Sequence, residues 1–145
     1  MAMNIKKVVV GGLVAGIIVN IFDFIANYAL SARMRAESEA FKPGLADQMM
    51  AGSAVASYVI MDLVIGIALV WTYAAVRPRF GPGARTAFYT ALLFWLLGLI
   101  FNSGYRQMGM VSSGLWWTLA VIALINYVVA SVAGAAIYSE EPATA

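Results

Sequence analysis

Four long apolar runs constrain this chain more than any other feature. Residues 8–30 form a run of 23 with one charge, Asp23, and residues 54–76 form another run of 23 with one charge, Asp62. Residues 86–104 and 114–138 are runs of 19 and 25 with no charge at all. About 20 apolar residues in a helix cross the roughly 30 Å hydrocarbon core of a bilayer. None of the runs alternates apolar and polar residues as a barrel strand does. In lipid the backbone must satisfy its own hydrogen bonds, so each run is expected to be α-helical. The expected fold is all-α: a polytopic membrane protein folded as one antiparallel bundle of four transmembrane helices, with an extramembrane loop at 31–53.

Composition agrees and excludes much else. The chain has 145 residues, 63% hydrophobic and 11% charged, against about 25% charged in soluble domains. It has no His and no Cys, so the usual ligands of haem, iron–sulfur clusters and zinc are missing. Ser–His and Cys–His nucleophile pairs are missing with them. No cofactor is evident from the residues, and contact with a lipid, carotenoid or quinone stays open. A net charge of +2 gives no reason to expect nucleic acid.

Local signals mark the span ends. Pro78 is expected to end the second helix after Arg77, because the residue before proline avoids helical geometry. Ser112 or Ser113 is expected to cap the fourth helix. Trp71, Tyr73, Trp116 and Trp117 lie near span ends, where amphipathic rings favour the interface. Trp95 is mid-span and is expected to pack between helices. Lys6 and Lys7 precede the first run as in a signal peptide, but Asn20, Asp23 and Asn27 interrupt it, so it reads as an uncleaved span. With the N-terminus inside, the inside holds Lys6, Lys7, Arg77, Arg79 and Arg85, and the outside holds Arg33, Arg35, Lys42 and Arg106. That balance favours both termini in the cytoplasm.

The start of the first loop has strong helix formers. Arg33 with Glu37 and Arg35 with Glu39 are spaced for i, i+4 pairs. The first helix is therefore expected to run to about residue 40, projecting roughly 15 Å beyond the membrane. That projection reads as a solvated helix end, or as a docking surface.

Each span has one small or polar face. Gly12, Gly16, Asn20, Asp23 and Asn27 fall within an arc of about 80°. Tyr58, Asp62, Gly66 and Tyr73 share a similar arc on the second span. Trp95, Gly98 and Asn102 mark the third, and Ala123, Asn126, Ala130 and Gly134 the fourth. Gly12, Gly16, Gly66, Gly98 and Gly134 are the expected packing positions, since small residues let helix backbones approach. The polar faces are expected to meet in the bundle interior.

Asp23 and Asp62 fall at similar depth, roughly 11 Å inside the outer edge. Acids inside a membrane are costly and are candidate functional groups. With Asn20, Asn27, Tyr58, Asn102 and Asn126 they form a candidate ion or ligand site. Two neighbouring carboxyls in a low dielectric favour sharing a proton over carrying two charges. The alternative is a neutral Asp–Asp or Asp–Asn clasp that fixes helix register.

Several chemistries fail on motifs. Lipoprotein signal peptidases also have four spans and paired acids, but their Asn-x-Ala-Asp and Gly-Asn-x-x-Asp-Arg signatures are absent. Small multidrug-resistance transporters carry one Glu in the first helix; here the acid is Asp and a second follows. No phosphate loop, Rossmann glycine pattern or metal cluster is present.

The run YAAVRPRFGPGARTA at 73–87 and GGLVAGIIVNIFDF at 11–24 resemble a group of four-span bacterial membrane proteins of similar length. The most specific piece is Arg-Pro-Arg-Phe-Gly-Pro-Gly at 77–83. The resemblance implies a bacterial inner-membrane protein and brings no activity or catalytic residue. The loop's Arg77, Arg79 and Arg85 suit anionic lipid head groups. The expected function is non-enzymatic: an accessory or structural subunit, held among other membrane subunits or copies of itself. The alternative is a small oligomeric transporter or channel, linked to protons or cations through Asp23 and Asp62.

Overall fold

A computed structural model describes residues 3–140, and they are helical almost throughout. The elements are α1 (Ile5–Phe41), α2 (Leu45–Met49), α3 (Gly52–Phe80), α4 (Ala84–Gln107) and α5 (Ser113–Ile137). All but α2 are long and apolar enough to cross a membrane. α1 has 37 residues, about 55 Å at 1.5 Å per residue, so it outruns a bilayer core as its sequence suggested. The Asn4 side chain caps it by accepting from the Lys7 N–H. Ser112 caps α5 by accepting from the Leu115 N–H at 3.2 Å.

The stop signal of α3 differs from expectation. Pro78 lies inside the last turn, and the helix continues to Phe80. Proline removes one N–H and crowds the preceding turn, but so near the end little helix is left to disrupt. Gly81 ends the helix instead. Its φ of 82° is open to glycine, and its N–H returns to the Arg77 carbonyl at 2.9 Å. Gly83 (φ 115°) then donates its N–H to the buried Tyr73 hydroxyl at 3.0 Å. Tyr73 therefore buries its ring in the core while its hydroxyl reaches the turn between α3 and α4.

α1 packs on α3 and α5, α4 packs chiefly on α5, and α1 and α4 do not touch. The core gathers at one end. It contains Val8 of α1, Leu69, Val70, Tyr73 and Ala74 of α3, Ala87 of α4, and Ala130 and Ala135 of α5. α3 has no buried residue before Asp62, and α4 has none after Ala91. Trp95 does pack between helices, donating its indole N–H to the Ala120 carbonyl at 2.8 Å.

The 31–53 loop is largely structured. Arg33 pairs with Glu37 at 3.2 Å as its spacing suggested. Arg35 does not pair with Glu39. It reaches Asp47 at 2.9 Å. Glu39 instead accepts from the Gly44 and Ala46 N–H groups at 2.8 and 3.1 Å, capping α2. Free N–H groups at a helix start compete well for a carboxylate.

Candidate functional site

Glycine builds the platform. A Cβ on Gly66 would overlap the Gly16 nitrogen and the Gly12 carbonyl oxygen, so α1 and α3 meet backbone to backbone. A Cβ on Gly12 would lie 2.5 Å from Ile67 Cα, and one on Gly16 2.6 Å from Leu63 Cα. α5 approaches α1 in the same way, through Gly134 against Gly11. Gly98 differs: nothing lies within 4 Å of its Cβ position, so it is not a packing contact. Helical spacing alone could not distinguish it from Gly66.

The close approach brings Asp23 of α1 and Asn126 of α5 together, while Asp62 of α3 lies opposite Gly16, short of the equal depth its sequence position suggested. The Asn126 amide N–H donates to Asp23 Oδ1 at 3.0 Å and to the Val19 carbonyl at 3.4 Å. Asn126 is 1% exposed and Asp62 is 9% exposed. Asp62 is the first buried residue along α3. The bond holding Asp23 thus crosses to α5 and not to its sequence neighbour α3. Asn126 Oδ1 is buried without a hydrogen-bond partner. Tyr127 is partly buried against the core. Asn20 ties α1 to α3, donating to the Gly16 and Val59 carbonyls at 3.1 and 3.3 Å.

The other expected members point away. Asn27 is exposed and donates to the Asp23 backbone carbonyl of its own helix at 2.8 Å. Asn102 is exposed and donates to the Gly98 carbonyl at 2.8 Å. Tyr58 is 46% exposed. The expectation that every polar face turns inward therefore fails for these three. A helical wheel gives a face but not which face a neighbour covers.

The arginine loop also divides. Arg77 is half-buried, lies over the Tyr138 ring at 5.5 Å and pairs with Glu140 at 3.5 Å. It holds the segment just after α5, at Tyr138 and Glu140. Arg79 is exposed. Arg85 is exposed too, donating to the Tyr89 hydroxyl at 2.8 Å and lying over its ring.

A second polar joint lies outside the apolar spans. Glu37 accepts from the Ser112 N–H and hydroxyl, both at 2.7 Å, while Arg33 donates to Ser112 Oγ at 3.2 Å. Partial burial pushes the Glu37 carboxyl up, but the bonds from Ser112 and Arg33 outweigh it and hold the group below its ordinary value of 4.5. Nothing in the local sequence links residue 37 to residue 112.

Among the described residues no three His, Cys, Asp or Glu side chains converge. The chemistry at the Asp23 level therefore rests on one carboxyl and one amide. No protein family, curated protein or solved structure matches this chain.

Proposed function

We propose that the chain is a multi-pass protein of the bacterial inner membrane, acting as a non-enzymatic accessory or structural subunit of a larger membrane assembly. In this reading the four long helices form an antiparallel bundle with both termini cytoplasmic. The cytoplasmic end then holds Lys6, Lys7, Arg77, Arg79 and Arg85, in line with the excess of cations found on that side.

The observation that carries the reading is the outward placement of Asn27, Tyr58 and Asn102. Polar side chains on the outer surface of a membrane helix gain interhelical hydrogen bonds when a neighbouring helix covers them. Asn102 also sits on the half of α4 that has no buried residue. A partner helix there would cover the polar groups and supply the packing that α4 lacks. The partner is another membrane subunit. An apolar molecule such as a carotenoid, quinone or lipid has its own candidate place. A groove of about 340 Å³ runs between α1 and α2, lined by Phe24, Tyr28, Met34 and Met49 with the polar Asn27 and Arg35 among others, which suits a lipid with a polar head.

The test is gentle extraction from native membranes, followed by native mass spectrometry of the intact particle. Other membrane subunits in fixed stoichiometry are expected. A lone monomer or homodimer would overturn the proposal.

A further inference from the structure

α2 lies against α1 as a short arm, and three sets of contacts hold it there. Glu39 accepts from the Gly44 and Ala46 N–H groups, Arg35 pairs with Asp47 at 2.9 Å, and the Ser38 hydroxyl donates to Met49 Sδ at 3.7 Å. The groove of about 340 Å³ between the two helices is therefore preformed. Its size falls within the roughly 300–1,000 Å³ of small-molecule sites. Its polarity changes along α1. Phe24 and Tyr28 lie within the apolar run and are 72% and 78% exposed. Arg35 lies beyond the end of that run. At 1.5 Å per residue, about 16 Å of helix separates Phe24 from Arg35. Met34, Met49 and Met50 add an adaptable apolar lining. Asn27 and Ser31 spend their donors on carbonyls of their own helix. Charge at the groove therefore comes from Arg35 and its partner Asp47, both exposed.

We propose that this groove binds one zwitterionic phospholipid of the phosphatidylethanolamine type, its head group held by Arg35 and Asp47 and one acyl chain lying along Tyr28 and Phe24. The phosphate takes the Arg35 guanidinium, whose planar fork suits phosphate oxygens. The ammonium takes the Asp47 carboxylate. An exposed ion pair contributes little by itself. Exchanging the Arg35–Asp47 pair for two pairs with the head group therefore costs little and leaves no charge unanswered. An anionic lipid such as phosphatidylglycerol offers a phosphate to Arg35 but nothing to Asp47, which then faces a like charge. A quinone or carotenoid has no charge for either group. The site depends on the chain lying in a membrane, as proposed above, and not on its joining an assembly.

The test uses the full-length protein, freed of lipid in detergent and titrated with synthetic phosphatidylethanolamine or phosphatidylglycerol of identical acyl chains. Native mass spectrometry counts the lipids retained. The expected result is one phosphatidylethanolamine per chain, held about fivefold more tightly than phosphatidylglycerol, the effect of one exposed ion pair. Asp47→Asn removes the carboxylate and is expected to erase that preference. A second variant, Met49→Trp, fills the groove and is expected to abolish retention of both lipids. Equal retention of the two lipids by the unaltered chain would overturn the proposal. So would a preference that survives Asp47→Asn, or retention unchanged in Met49→Trp. A lone monomer that selects phosphatidylethanolamine would uphold this site while overturning the accessory-subunit reading, so the two fail separately.

Discussion

Gly66→Ala is expected to be far more damaging than one methyl group suggests. The added carbon would sit inside contact distance of the Gly16 nitrogen and the Gly12 carbonyl oxygen. Both are backbone atoms of a helix and cannot rotate aside. Non-bonded carbon contacts settle at about 3.5–4.0 Å, so α1 and α3 must part by on the order of 1 Å. That shift breaks the Asn20 bond to the Val59 carbonyl, already 3.3 Å long. Overpacking costs about 1–3 kcal/mol, and the lost hydrogen bond adds about 0.5–1.5 kcal/mol. Against this, alanine gains almost 1 kcal/mol in helix propensity. The net loss is about 2 kcal/mol, a fall in Tm of roughly 5–10 °C. The assay is thermal unfolding in one detergent of the unaltered protein, Gly66→Ala and Gly98→Ala. Gly98 has nothing within 4 Å of its Cβ position, so its variant is expected to be neutral or slightly stabilised. Equal effects at the two positions would refute the packing argument.

Further outcomes follow from the polar joints. Asn126→Leu is expected to destabilise by about 1–3 kcal/mol, because Asp23 loses the N–H that holds it; thermal unfolding measures this. The Glu37 carboxyl is lowered in the folded state, so its contribution is present above its unfolded value of about 4.5 and is lost as pH falls through the folded value. The Tm gap between the unaltered chain and Glu37→Gln is therefore expected at pH 7 and should close in strong acid. Arg77→Ala is expected to release the segment at Tyr138 and Glu140, which faster proteolysis near the C-terminus would report.

The sequence made the helices legible and their neighbours only partly so. Runs of 19–25 apolar residues leave few alternatives to spanning helices, and the extension of α1 past the membrane followed from its helix formers. Gly12, Gly16 and Gly66 could be read as contacts because their stripes match. Gly98 looked the same and contacts nothing, since periodicity does not reveal how two helices diverge. Asn126 and Asn102 posed the same problem: both are single amides on apolar helices, yet one is buried against Asp23 and the other is exposed. Pro78 misled because a proline's cost depends on how much helix follows it. Glu39 left Arg35 because a helix start four residues past Phe41 offered free N–H groups.

The outward polar groups test the central claim most directly. The chain has no cysteine, so Asn102→Cys introduces a single attachment point for a photoactivatable maleimide. Val121→Cys, at an exposed apolar position, serves as the lipid-facing control. Illumination in native membranes is expected to give a discrete protein adduct from position 102 and only lipid adducts from position 121. Lipid adducts alone from both positions would contradict the account of this chain as a subunit of a larger assembly.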